Sequence, residues 1–294
     1  MDLFIKNGDV LIDGAFIKTN VTVKDGRISS LSDKENAHSL PVLDAEGKKV
    51  VPGFIDIHTH GGSNVDINHA STEDLYKLGV FFASQGTTGF QTSIVTDTEE
   101  NTLRCIDRIK TAMDHPKTGA NILGIHLEGP FLAPDFKGSM PGHLLKRPDL
   151  ELFEKYQRQA DGRITYITVA PEAEGALDLI RELHRQGIVI SIGHSGADYD
   201  TAMEAIHSGA ASATHIFNAM KPLHHHAPAI SGAALESDIY CEAICDGRHL
   251  HPGIVRLVLK AKGLDRVIAV TDSIMATGLP DGDYMLGVNK IRVT

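Results

Sequence analysis

The chain contains no tryptophan and only three cysteines in 294 residues. Cys105, Cys241 and Cys245 form no CxxC pair and are too few for a disulfide framework, so they read as reduced thiols of a cytoplasmic protein. No apolar run reaches the roughly 20 residues of a membrane span. Residues 1–14 lack the basic-then-apolar layout of an export signal and read instead as a strand with turns. Positive charge is also scarce. With 28 Lys and Arg against 38 Asp and Glu, the net charge is −10. That argues against non-specific nucleic-acid binding and leaves any anion to a local cluster of donors. Low-complexity tracts are missing; the nearest thing to one is His224-His225-His226. Hydrophobic residues at 42 % and charged residues at 22 % allow a sizeable core and exclude wholesale disorder. Histidine, by contrast, is plentiful, with 16 residues. It is the commonest metal ligand and the acid/base of neutral pH, so its placement along the chain matters.

Residues 1–50 differ from the rest. Short alternating runs are broken by Asn7-Gly8, Asp13-Gly14 and Asp25-Gly26, which are hairpin and turn signals, so a small antiparallel β unit is expected there. From residue 51 to 294 a different unit repeats: apolar run, loop, amphipathic helix, glycine, next apolar run. Ser71-Thr72-Glu73-Asp74 opens the first helix as a capping box, with Leu75, Leu78 and Phe82 at helical spacing behind it. Leu103, Ile106, Ile109 and Met113 mark the second helix, and Leu177, Ile180 and Leu183 the fourth. Strands are expected at 51–57, 88–95, 122–127, 164–169, 188–192, 211–214, 240–244 and 267–270. Eight apolar strands alternating with helices predict an α/β fold, a parallel (β/α)₈ barrel, with an open doubly wound sheet as the runner-up. The stretch after strand six is expected to be one long loop, a feature usually tied to function.

Barrel chemistry forms at the C-terminal strand ends. His58 and His60 follow strand one, spaced so that both face the same way. Glu128 follows strand three, His194 strand five, His215 strand six and Asp272 strand eight. Four histidines and two carboxylates at five strand ends form the ligand set of a divalent-metal hydrolase. His38, His69, His115, His184 and His207 fall in turns or on helices and read as surface residues. His126 lies inside strand three and reads as a core histidine or one supporting the ligands. Cys241 and Cys245 read as packing residues.

Residues 50–61, Val-Val-Pro-Gly-Phe-Ile-Asp-Ile-His-Thr-His-Gly, resemble the opening of the amidohydrolase superfamily. Segments 124–132, 191–195, 213–220, 246–249 and 270–273 narrow the resemblance to its branch that deacetylates phosphorylated amino sugars. The resemblance implies Glu128, His194 and His215 as the main metal ligands. His58 and His60 would form a second position, with Glu128 bridging. Many members use a carboxylated lysine after strand four as the bridge; residues 168–172 here contain none. Asp272 matches the catalytic carboxylate, which would take a proton from water and pass it to the departing amine. Ser139, Asn218, Ala219 and His249 match substrate-contacting positions, with His249 donating to the acetamide oxygen. His226 matches a phosphate contact reached from the neighbouring subunit of a homodimer, although His224 and His225 compete for that role. Met140 stands where a polar residue is common. The resemblance further implies one or two divalent ions, Zn²⁺ or Fe²⁺ first and Mn²⁺ or Co²⁺ equally suited by ligand type. It implies a phosphorylated amino-sugar substrate and neither nucleic acid nor membrane as partner. The chain would stop short of strands that complete the small β domain. A cyclic-amide hydrolase and a non-catalytic barrel are the rival readings.

Overall fold

A computed structural model describes residues 2–33 and 40–294; His38 lies outside the described residues. The chain divides into two compact units, Met1–Phe54 and Ile55–Thr294.

The first unit is a five-stranded sheet. β1 (Leu3–Ile12), β2 (Ala15–Lys24) and β3 (Arg27–Ser32) run antiparallel, while β4 (Val42–Asp44) and β5 (Lys49–Val50) pair with β1 in parallel. Asp13-Gly14 and Asp25-Gly26 close hairpins with positive φ at both residues, as two-residue hairpin turns require. Asn7-Gly8 does not turn the chain. It forms a bulge inside β1, where the register against β2 shifts between Ile5 and Gly8. Asn7 adopts a φ of 58°. Its amide nitrogen donates to both Asp44 carboxylate oxygens at 3.0 and 3.1 Å. A Cβ on Gly8 would lie 2.7 Å from Val50 Cγ2, so the glycine serves a close approach of side chain to backbone.

β6 (Phe54–Asp56) opens the second sheet and is followed by a small hairpin, β7 (Gly61–Gly62) and β8 (Val65–Asp66). Then come α1 (Thr72–Ser84), β9 (Thr87–Val95), α2 (Glu99–Asp114), β10 (Asn121–Glu128), α3 (Leu150–Gln159), β11 (Ile164–Val169) and α4 (Ala176–Arg185). The alternation continues through β12 (Val189–Ile192), α5 (Tyr199–His207), β13 (Ala210–Ala213), α6 (Ala229–Glu236), β14 (Tyr240–Ile244), α7 (Pro252–Lys262) and β15 (Val267–Val270). A last hairpin, β16 (Gly282–Leu286) and β17 (Asn289–Val293), ends the chain.

Eight strands lie in the order β15-β14-β13-β12-β11-β10-β9-β6. β6 is shorter than the seven residues expected, because Pro52 has no N–H for a ladder and Gly53 has no side chain to pack. The barrel therefore closes largely beyond β6 and β15. Thr59 and Ser273 form a parallel bridge, and their hydroxyls meet at 2.7 Å. Asp272 N–H donates to His58 O at 2.9 Å and His60 N–H to Ser273 O at 2.7 Å. Asp56 accepts from the Thr271 hydroxyl at 2.5 Å and from the His58 N–H at 3.2 Å. This seam fixes the ends of strands one and eight against each other.

The helices pack as their periodicity predicts. Ser71 and Asp74 exchange reciprocal capping bonds at 3.2 Å. The Ser71 hydroxyl first, then Lys77, holds the Asp74 carboxyl down to about 2. α2 buries Cys105, Ile106, Ile109 and Ala112, with Leu103 and Met113 half-buried at the edges of that stripe. A fully buried isoleucine such as Ile106 or Ile109 contributes about 2 kcal/mol.

Two elements depart from expectation. The loop after strand six contains α6, whose residues 229–234 are all buried. A helix enclosed on every side and built of small residues shows no amphipathic period, which is why periodicity did not mark it. The segment after strand eight, beyond the eight expected strands, folds into the β16–β17 hairpin. Among the described residues, no helix is long and apolar enough to cross a membrane.

Candidate metal centre

The strand ends bring four imidazoles and two carboxylates together. Glu128, at the end of β10, is the hub. Its Oε1 lies 3.1 Å from His194 Nε2, 3.1 Å from His215 Nε2 and 3.2 Å from His58 Nε2, while Oε2 lies 3.2 Å from His60 Nε2. His194 and His215 nitrogens stand 3.1 Å apart, and those of His58 and His60 3.2 Å apart. Asp272 Oδ1 is 3.1 Å from His60 Nε2 and 3.6 Å from His58 Nε2. Two groups result, His58–His60–Asp272 and Glu128–His194–His215. Glu128, a member of the second group, also has an oxygen 3.2 Å from each histidine of the first.

These separations suit a metal ion. Ligands held about 2.0–2.1 Å from a tetrahedral cation lie about 3.3 Å from one another. The outer ring nitrogens are also anchored. His58 Nδ1 meets Glu242 Oε2 at 2.8 Å, His60 Nδ1 meets Ser93 O at 3.0 Å, and His194 Nδ1 meets Phe136 O at 3.0 Å. Each such acceptor fixes the proton on Nδ1 and leaves the Nε2 lone pair facing the centre. His215 Nδ1 is buried without a hydrogen-bond partner among the described residues.

The charges point the same way. Burial opposes ionisation of Glu128, yet the surrounding imidazoles of His58, His60 and His194 hold its carboxyl well below the usual range. Burial likewise opposes protonation of His60, but Glu128 and Asp272 raise it to about 10. His58 is raised against its burial by Glu242, Asp272 and Glu128. The Asp272 carboxyl is lowered against its burial by His58 and His60. The cluster demands positive charge, and a divalent cation meets that demand with the imidazoles neutral.

The backbone is strained where it delivers these ligands. His194, His215 and Asp272 have φ of 48°, 30° and 49°, a region that costs a non-glycine residue about 1–3 kcal/mol. Compensation comes from hydrogen bonds. Glu172 accepts from the Ser195 hydroxyl at 2.7 Å and the Gly196 N–H at 2.5 Å, pinning the turn after His194. Below the ligands the barrel interior is polar. His126 bridges Ser93 Oγ at 2.8 Å and Thr168 Oγ1 at 2.9 Å. Burial, with His58 adding to it, drives its pKa well down. It supports the ligands and is not one of them.

Glu242 escaped the sequence reading. It is fully buried in β14 and accepts from His58 Nδ1, from Tyr166 Oη at 2.5 Å and from the His215 N–H at 3.2 Å. The available signal was a charge inside an otherwise apolar strand, Cys241-Glu242-Ala243-Ile244. Glu242→Gln is expected to weaken cation binding about 10- to 100-fold. A chelator-competition titration measures this, and an unchanged affinity would remove Glu242 from the supporting role.

A cavity of about 520 Å³ opens above the centre. His60, Glu128, His194, His215 and Asp272 form its floor, with Ser139, Asp246 and His249 on its wall. Asp246, also missed, accepts from His249 Nδ1 at 2.8 Å and so orients that ring. Asn218 and Ala219 are not among the wall residues. They belong to the tight turn after His215, where the Asn218 amide donates back to His215 O at 3.2 Å. His226 stands apart on an exposed loop, where the His224, His225 and His226 rings lie tilted against one another, with centroids 4.2 Å and 4.0 Å apart. His69, His115, His184 and His207 are exposed.

A (β/α)₈ barrel with this donor set at its C-terminal mouth defines a metal-dependent hydrolase. The amidohydrolase family model matches residues 49–284. The N-acetylglucosamine-6-phosphate deacetylase of Bacillus subtilis (strain 168) is 37 % identical over 298 residues, which cover 99 % of this chain and 75 % of that protein. Among solved structures, a single-residue variant of the Mycobacterium smegmatis deacetylase in complex with N-acetyl-D-glucosamine-6-phosphate superposes with a TM-score of 0.91 at 29 % identity, covering 100 % of this chain and 76 % of that one. A D-hydantoinase is similar in fold alone, at 19 % identity, a TM-score of 0.50 and coverage of 92 % of this chain and 57 % of that one. The chain belongs to the amidohydrolase family, in the branch formed by the N-acetylglucosamine-6-phosphate deacetylases. Family membership implies a divalent metal, and the residues present fit one.

Proposed function

We propose that the protein hydrolyses the acetamide of N-acetyl-D-glucosamine 6-phosphate to D-glucosamine 6-phosphate and acetate. One observation carries this reading: the convergence of Glu128, His194 and His215 on a single point beneath an open cavity, in a chain whose relatives bear that activity. Glu128, His194 and His215 would hold one divalent cation; His58 and His60 would hold a second, with Glu128 between them. Zn²⁺ and Fe²⁺ suit these ligands, as do Mn²⁺ and Co²⁺. A cation there would supply Lewis acidity, acidifying water towards a pKa of about 7 and polarising an amide carbonyl.

The chain's own groups then have defined tasks. Asp272, ionised and facing the cavity, accepts a proton from the attacking water and delivers it to the departing amine, which cannot leave as an anion. His249, steadied by Asp246, donates to the acetamide oxygen as negative charge grows there. Ser139 at the rim and the backbone around Asn218 and Ala219 bind the sugar phosphate. His226, remote from this cavity in its own subunit, reaches the phosphate of a second subunit in a homodimer.

The test pairs acetate release from N-acetylglucosamine 6-phosphate with metal content. Chelation is expected to abolish turnover and one or two equivalents of divalent cation to restore it. A fully loaded protein that releases no acetate would refute the reading.

A further inference from the structure

Most residues lining the cavity above the metal centre are polar; the apolar ones are Val95, Met140, Ile274 and Leu286. Val95 and Met140, both buried, form a small apolar cluster with Leu132, against which Leu145 and Leu286 pack. Val95, Met140 and Leu286 face the same cavity as Glu128 and His60. Three separate elements deliver them: the end of β9, the loop after β10, and the last residue of β16.

Leu286 is held there by design of the terminal hairpin. β16 and β17 pair from Gly282↔Val293 to Leu286↔Asn289, leaving Gly287-Val288 as the turn. Gly287 has a φ of 54°, and a Cβ on it would lie 2.6 Å from Val95 Cγ2, so the turn sits hard against the end of β9. Gly287 N–H donates to Asp66 Oδ2 at 2.9 Å. Asn289 Nδ2 donates to Ser139 O at 2.5 Å, tying the hairpin to the loop that carries Met140. The hairpin and the rim loop thus form one wall.

The proposed substrate offers hydroxyls, a phosphate, the amide and a single apolar group, the acetyl methyl. The sugar hydroxyls and the phosphate gain nothing from a dry aliphatic surface, and burying them there without partners would cost energy. The methyl gains by being buried. We infer that Val95, Met140 and Leu286 form the acyl subsite, and that Met140 and Leu286 set how long an acyl group the enzyme accepts. The inference rests on the deacetylase reading and adds the residues that select the acid released.

The experiment compares N-formyl, N-acetyl, N-propionyl and N-butyryl glucosamine 6-phosphate as substrates for wild type, Leu286→Ala, Met140→Ala and Leu286→Phe. One methylene in an apolar pocket is worth about 10- to 200-fold in kcat/KM. Wild type is expected to prefer acetyl over propionyl by at least about tenfold, and either alanine variant to narrow that ratio about tenfold. Leu286→Phe is expected to shift preference the other way, towards formyl. Because the readout is a ratio within each variant, a general loss of activity does not move it. An active wild type whose acyl ratios are unchanged in all three variants overturns the subsite. A wild type that releases no acid from any of these amides overturns the deacetylase reading itself.

Discussion

Asp272→Asn is expected to lower kcat by about 10²- to 10⁴-fold while the protein keeps its cation. The expectation follows from where Asp272 stands. It is the carboxylate of the cluster that opens to the cavity, with a side chain 22 % exposed against 3 % for Glu128. Its Oδ1 sits 3.1 Å from His60 Nε2, close enough to the centre to reach a water attacking an amide there. Asparagine preserves the shape and the backbone bond from Asp272 N–H to His58 O. It cannot take up a proton, so both the activation of water and the protonation of the amine fail. Glu128, His194 and His215 remain intact, so the cation they would hold should stay. Steady-state kinetics and elemental analysis on one preparation decide the matter, and wild-type turnover in the variant would sink the assignment.

Glu128→Gln is expected to remove the cation and, with it, measurable turnover. Each of the four Nε2 atoms lies within 3.2 Å of a Glu128 oxygen. An amide cancels the negative charge on which the cluster depends and turns an N–H₂ towards lone pairs that should face a metal. A second readout is independent of activity. A ligand at 100 times its Kd stabilises the fold by about 2.7 kcal/mol, so chelation should lower the wild-type Tm. The variant should already melt near that lower temperature and respond little to chelator. A Glu128→Gln protein that still carries stoichiometric metal and still loses Tm on chelation contradicts the hub role.

The two kinds of residue differed in how readily the chain revealed them. The candidate site residues were legible because each ends an apolar strand: His58 and His60 after strand one, Glu128 after strand three, His194 and His215 after strands five and six, Asp272 after strand eight. Continuous apolar runs located those strands, and period-3.6 patterns the helices between them. Residues acting through a partner left no such mark. Glu242 matters only because β14 places it under His58, and Glu172 because its loop passes Ser195. α6 was invisible because a helix buried on all sides has no polar face to create a period. Asn7-Gly8 misled because glycine serves turns, bulges and close approaches alike, and only the proximity of Val50 separates them.

The order of apolar runs and punctuation along the chain determined the barrel and which donor side chains stand at its strand ends, since hydrophobic burial and backbone pairing are decided mainly by local pattern. The tertiary structure alone decided that Glu128 lies between two groups of imidazoles, that the seam between strands one and eight is tied by Asp56, Thr59 and Ser273, and that Leu286 returns from the end of the chain to the mouth of the barrel. These depend on distances between residues up to some two hundred positions apart, set by how all eight strands close, which no local pattern encodes.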